Sequence, residues 1–262
     1  MNIGICFNAY AGLEIEQQIR LMRENGFEAT FVGSESPRLD EKMSAIRAAG
    51  IACESVHAPF NKINDMWYDG EAGEDMLARL MHSVDVCVKH NIPVSVVHLS
   101  SGIPAPRIND VGYDRFSRLM EYADKNNVTI AYENQRMLAN IAFAFEQFPT
   151  AGFCWDVGHE ACFANGRRYM PLFGDKLVQL HVHDNCEEFN SDLHLIPYDG
   201  KIDFERVARS IADTGYDRSL MLEIMKDNSD RYTDLTPEQY YKRASDAAHR
   251  LADRVEYYKS LK

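Results

Sequence analysis

Six apolar runs in this chain each stop on a side chain that can bind a metal ion or move a proton. Runs 53–57, 93–98 and 177–181 end in His57, His98 and His181. Runs 129–133, 151–156 and 219–223 end in Glu133, Asp156 and Glu223. If these are parallel strands of one barrel, their ends share a mouth, and residues far apart in sequence converge there. Imidazoles mixed with carboxylates at such a point form the donor set of a divalent cation. Four more candidates follow the strand ends: His159 after Asp156, His183 two residues past His181, and the loop pair Asp192 and His194.

Each candidate also has a plainer explanation. An acid inside an apolar strand is costly unless it is paired or metal-bound, so a buried salt bridge competes for Glu133 and Glu223. Asp156 could simply cap the turn that follows it. Taken singly, His57, His98, His181 and His183 read as packed core histidines, and Asp192 and His194 as loop polarity. The joint pattern outweighs these separate readings. Strand ends make up roughly a tenth of a barrel, so about one of the nine histidines should fall there by chance. His57, His98 and His181 close strands outright, and His159, His183 and His194 lie just beyond or beside one. His82, His90 and His249 fall on helical stretches and are expected to face solvent. The reading is a metalloenzyme.

The elements that would position these groups alternate along the chain. Strands are expected at 3–7, 29–33, 52–57, 94–99, 129–134, 152–157, 177–183 and 220–225. Between and after them, residues 14–25, 40–49, 73–90, 113–126, 138–147, 203–214 and 237–259 carry helical periodicity. The link 161–175 reads as short helical pieces. Such alternation implies parallel βα units, and 262 residues suit a single (β/α)8 TIM barrel spanning 1–262 as one domain. Thr236 followed by Pro237 marks the last helix start. The connections after His57, His98 and His181 are long, as expected of loops that line a site.

Composition narrows the partners. A net charge of −12 argues against a standing attraction to nucleic acid or anionic lipid. No apolar stretch approaches the ~20 residues needed to span a bilayer, and the first residues read as a strand rather than a signal peptide. The six cysteines form no CxxC pair and mostly lie in apolar runs, so a reducing, cytoplasmic setting is expected.

The ordered motifs resemble those of the xylose isomerase-like barrel superfamily. They are His-Ala-Pro-Phe at 57–60, Tyr-Glu-Asn at 132–134, Trp-Asp-Val-Gly-His at 155–159 and His-Val-His-Asp-Asn at 181–185. Asp-Leu-His at 192–194, Gly-Lys-Ile-Asp-Phe at 200–204 and Leu-Glu-Ile at 222–224 complete the set. That superfamily holds sugar and sugar-phosphate isomerases and epimerases, and also abasic-site nucleases of the endonuclease IV type. Similarity to the ketose 3-epimerase branch implies that Glu133, Asp156, His181 and Glu223 hold one divalent ion, with Glu133 and Glu223 also moving protons. The family spacing His-x-x-Asp/Glu selects His181, with Asp184, over His183. Manganese, zinc, magnesium or cobalt would suit the donors, and no organic cofactor is implied.

The resemblance further implies a carbohydrate substrate handled by proton abstraction beside a metal-bound carbonyl, through an enediolate. His159 and His183 are then expected to bind hydroxyls, with Trp155 or Trp67 closing over the sugar. The endonuclease IV branch implies a wider set. His57, His98 and Glu133 would form a first zinc site, the four residues above a second, and His159, Asp192 and His194 a third. A multinuclear zinc phosphodiesterase, a metal-dependent polyol dehydratase and a barrel kept as a binding subunit therefore stand as alternatives. Tyr198 occupies a loop position where the family usually has glycine. Tyr240, Tyr241, Tyr257 and Tyr258 could support a homo-oligomer contact or pack against the barrel.

Overall fold

A computed structural model of the chain describes residues 1–262. Its strands are β1 (Ile3–Cys6), β2 (Ala29–Gly33), β3 (Ala52–His57), β4 (Val94–His98), β5 (Thr129–Glu133), β6 (Gly152–Asp156), β7 (Leu177–His181) and β8 (Leu220–Leu222). Helices α1 (Ile15–Glu24), α2 (Leu39–Ala48), α3 (Glu71–His90), α4 (Asp110–Lys125) and α5 (Leu138–Gln147) follow the first five strands. Two short helices, α6 (Val157–Phe163) and α7 (Met170–Phe173), occupy the sixth link, and α8 (Phe204–Ala212) and α9 (Pro237–Lys259) complete the ring. All eight expected strands form, and the sixth link is helical in pieces, as its weak periodicity suggested.

Every strand pair is parallel, in the order β7-β6-β5-β4-β3-β2-β1-β8. Just beyond the end of β7, Val182 pairs with Leu222, the last residue of β8. The Val182 amide donates to Met221 O at 2.9 Å, and the Glu223 amide donates to Val182 O at 3.0 Å. These bonds bring the sheet round into a nearly closed (β/α)8 barrel.

Alternation along the strands sorts their side chains. Val94, Val96 and His98 share one face of β4, Ala131 and Glu133 one face of β5, and Cys154 and Asp156 one face of β6. Val94, Val96, Ala131 and Cys154 form a small buried apolar cluster, separate from the main core. They plug the barrel interior beneath the polar ends. The intervening residues, Phe153 and Trp155 among them, join the main core between sheet and helices.

The last helix starts with a full capping box: the Gln239 amide donates to the Thr236 hydroxyl, and the Thr236 amide donates to the Gln239 side chain. Tyr240 and Tyr241 are fully buried, edge-on to Tyr10 and Phe27. They pack against the barrel, the second of the two expectations. His90 departs from its expected solvent-facing place: it is half-buried, with Nε2 3.1 Å from Asp40 Oδ1. No helix is long and apolar enough to cross a membrane.

Candidate metal centre and active site

Strand register puts the chemistry together. His98 is the partner of Glu133 across β4 and β5, and Asp156 the partner of His181 across β6 and β7. Partners in parallel strands point to the same side, so these ends crowd the interior mouth. Glu133 Oε1 lies 3.2 Å from His181 Nδ1, and Oε2 lies 2.6 Å from His98 Nε2 and 3.2 Å from His57 Nε2. Glu223 Oε2 is also 3.2 Å from His181 Nδ1. One donor atom from each of Glu133, Asp156, His181 and Glu223 falls within 4.8 Å of every other. Phe31 stacks on the His181 ring at 4.6 Å and keeps it upright.

The groups that pair with buried Glu133 and Glu223 are histidines and not the lysine or arginine of an ordinary buried salt bridge. Neither acid, nor Asp156, meets a lysine or arginine; every opposing group is an imidazole. All three carboxylates are buried, and burying like charges together is costly without a cation among them. Asp156 Oδ1 caps α6 by accepting from the His159 amide at 2.6 Å, while Oδ2 has no partner. Capping and site membership are thus compatible in one side chain. His181 Nε2 is also unpartnered. Three carboxylates and one imidazole fit a divalent cation such as manganese, magnesium or zinc.

The electrostatics follow from this packing. Burial pushes the Glu133 carboxyl up, but His98, His181 and His57 outweigh it and hold the group well below the ordinary range. Glu223 is lowered against its burial in the same way, chiefly by His181. At Asp156 burial wins over His159 and His183, so its carboxyl is raised.

A second cluster adjoins the first. Donor atoms of His159, His183, Asp192 and His194 lie within 4.8 Å of one another. Asp192 Oδ2 stands 3.2 Å from His159 Nε2 and 3.1 Å from His194 Nε2. Burial works against a charged His159, but Asp156 and Asp192 raise it to about 10. His194 is raised to about 9, against burial and chiefly by Asp192. His194 Nδ1 donates to Glu223 O at 2.7 Å, which ties the cluster to the first one.

The loop carrying Asp192 and His194 closes despite the tyrosine at residue 198. Tyr198 has φ +74°, a left-handed backbone that glycine adopts without cost. The loop closes on Asp184, which accepts from the amides of Asn185, Gly200 and Ile202 at 2.8, 2.8 and 3.1 Å. Asp184 therefore organises the loop. A side chain at Gly200 would collide with that carboxylate.

Three expectations are corrected. His183 is fully buried and does not line the cavity; its Nε2 lies 3.1 Å from Asp156 Oδ1, and its ring stacks on His194 at 4.0 Å. It braces the site instead of meeting a hydroxyl. Trp155 is fully buried on the outer face of β6, with Nε1 donating to Glu160 at 3.1 Å. Trp67 is buried against α4 and α5, and its Nε1 donates to Leu99 O at 2.6 Å. Neither indole can close over a ligand.

Above the clusters opens a cavity of about 430 Å³, within the range of small-molecule sites. Glu133, Glu223, His57, His98, His159, Asp192 and His194 line it, whereas Asp156 and His181 sit just beneath its floor. The walls are side chains that the sequence reading missed. Phe60, half exposed, stacks on His98 at 4.8 Å; Phe163 lies 5.0 Å from His159; Gln135 reaches His159 Nδ1 at 3.0 Å. Asn134 clamps the end of β6 through paired bonds to Asp156 N and O at 2.8 Å. The polar run 133–136, straight after an apolar strand, was the available signal for Asn134 and Gln135.

Fold and site together define a (β/α)8 barrel with a carboxylate–imidazole cluster at its C-terminal mouth. A family model described as xylose isomerase-like TIM barrel matches residues 14–251, and the chain belongs to that family. It is 32% identical over 148 residues to the protein y4fM of Sinorhizobium fredii, a match spanning 56% of this chain and 46% of that one. The chain thus spans about half the length of that curated relative. Among solved structures it is similar to a D-tagatose 3-epimerase-like protein, with TM-score 0.74 and 18% identity, covering 100% of this chain and 99% of the other. It is likewise similar to the IolI protein with a bound zinc atom, with TM-score 0.74 and 15% identity, covering 98% and 99%. At these identities the likeness is one of fold.

Proposed function

We propose that this chain is a divalent-metal-dependent isomerase or epimerase of a sugar or sugar phosphate. One observation carries the reading: two glutamates from separate barrel positions, Glu133 at the end of β5 and Glu223 just past β8, flank His181 Nδ1 at 3.2 Å each and both open onto the cavity. Held by Glu133, Asp156, His181 and Glu223, a divalent cation would polarise a carbonyl and its neighbouring hydroxyl. The neighbouring histidines hold the carboxyls of Glu133 and Glu223 below the ordinary range, so either can serve to take a proton from the carbon beside that carbonyl. The other, approaching from a separate barrel position, can return one. His159 lines the cavity and can hydrogen-bond a hydroxyl, while Phe60, Phe163 and Met225 narrow the entrance to water. The names of the two structural neighbours, a tagatose epimerase-like protein and a zinc-binding barrel, agree with this reading.

The test is solvent exchange. Protein loaded with Mn²⁺ or Co²⁺ is incubated in D₂O with a panel of ketoses and ketose phosphates, and carbon-bound deuterium is followed by NMR. Incorporation at a carbon adjacent to the carbonyl is expected. Its absence across the panel sinks the proposal.

A zinc phosphodiesterase is the second reading, favoured by the additional groups His57–His98–Glu133 and His159–His183–Asp192–His194. The cavity lining carries one lysine and one arginine, Lys62 and Arg136, which is sparse for a nucleic-acid backbone. Three zinc ions per chain with nicking of an abasic oligonucleotide would replace the first reading; one ion per chain without nicking would retire the second.

A further inference from the structure

We infer that the cavity mouth receives an anionic substituent of the substrate, a carboxylate or a phosphate, on Arg136 and Lys62. This rests on the sugar-chemistry reading and names its substrate class. Arg136 is half-buried at the cavity wall, where its guanidinium lies 3.7 Å from the centre of the Phe163 ring. Its Nε and Nη2 donate to Asn190 Oδ1 at 3.2 and 2.8 Å, a neutral partner, and Nη1 has none from the protein. The arginine is therefore aimed and held without being neutralised.

Several other arginines of this acidic chain are instead neutralised by carboxylates. Arg79, Arg115, Arg118 and Arg254 each meet a glutamate at 3.0 Å or less. The acid nearest in the cavity lining, Asp192, is already engaged by His159 and His194. Lys62 lines the same mouth, forms no ion pair, and is fixed on a residue with φ +70° in the loop after β3. A neutral ketose would further desolvate the guanidinium while leaving it unpaired, an unfavourable arrangement. A carboxylate or phosphate would match its planar fork. The small volume, about 430 Å³, suits a single sugar unit with one such group.

The experiment uses three inert ligands that share a carbon chain: xylitol, xylonate and xylitol 5-phosphate. Each is titrated calorimetrically into metal-loaded protein, native and carrying Arg136→Met or Lys62→Met. One charged ligand is expected to bind at least ~10-fold tighter than xylitol, and Arg136→Met to remove most of that advantage. Xylonate and the phosphate separate the two anion classes. Equal affinities, no binding by any of the three, or an advantage that survives both substitutions overturns the inference. The last outcome would place a carboxylate on the cation instead. Because these ligands do not react, the result stands apart from the deuterium-exchange test of the function itself.

Discussion

His98 and Glu133 are register partners on β4 and β5, and His98 Nε2 lies 2.6 Å from Glu133 Oε2. The other oxygen of the same carboxylate is 3.2 Å from His181 and 3.4 Å from His159. With His57 at 3.2 Å, one glutamate is shared among four imidazoles from four parts of the chain. Glu133 and His181 each belong to three of the candidate donor clusters, so the site's geometry turns on this pair.

Glu133→Gln keeps the shape of that side chain and removes its charge. Its four imidazole neighbours lose a carboxylate hydrogen-bonding or charge partner, and the proposed ion loses a ligand. We expect turnover to fall by about 10²–10⁴-fold, together with bound metal per chain. Glu223→Gln should act in the same direction. Steady-state kinetics and elemental analysis check both; a Glu133→Gln variant within about threefold of the native enzyme on both measures would remove Glu133 from the chemistry.

Much of this was legible because parallel strands deliver their last residues to one place. The acids and histidines that break apolar runs at 57, 98, 133, 156, 181 and 223 mark strand ends within about a residue, and the structure brings them together. The aromatic residues were harder. Trp155 lies between Cys154 and Asp156, and period-two alternation sends it outward once Asp156 points inward. Trp67 sits on a 3₁₀ turn whose path depends on a gap at Gly112 of α4, a contact 45 residues away that spacing cannot reveal. His183 shares a face with His181, yet strand closure at Val182 carries its ring beneath α6 and away from the cavity. Arg136 and Phe163 meet only through the folding of two separate links.

Trp67→Phe tests the revised role of that indole. The substitution removes the bond to Leu99 O and leaves a gap beside Gly112. A loss of about 1–3 kcal/mol in stability is expected, with KM for the true substrate unchanged within about twofold. Chemical denaturation and kinetics read the two separately. A large rise in KM with intact stability would return Trp67 to the site.

Gly158 is the position where the site tolerates no side chain. The His183 imidazole occupies the space that a Cβ there would need. Gly158→Ala must displace His183 from Asp156 or shift α6, at a cost of about 1–3 kcal/mol. Weaker metal binding is expected alongside the lower unfolding midpoint, since Asp156 loses its brace. Unchanged metal affinity would show that His183 does not orient Asp156.

The pH dependence of the metal-free protein follows from the bridge His159–Asp192–His194. The two imidazoles are raised in the fold to about 10 and about 9 from an ordinary 6.5. Groups raised on folding stabilise fully below their unfolded value, and this is lost as pH climbs through the folded one. Asp192, Glu133 and Glu223 are lowered on folding, so what they contribute is lost only as pH falls below their ordinary 3.8 to 4.5. Between these limits the metal-free protein should be most stable at about pH 4.5–6.5 and weaken steadily toward about pH 10. A cation takes the place of protons at such a cluster, so loading should release protons and stabilise more at high pH than at low. Unfolding midpoints with EDTA and with Mn²⁺, taken at about pH 6.5 and 9.5, should diverge by several degrees. A flat EDTA profile across that window would mean that Asp192 does not hold the two histidines protonated, and the second cluster would lose its electrostatic basis.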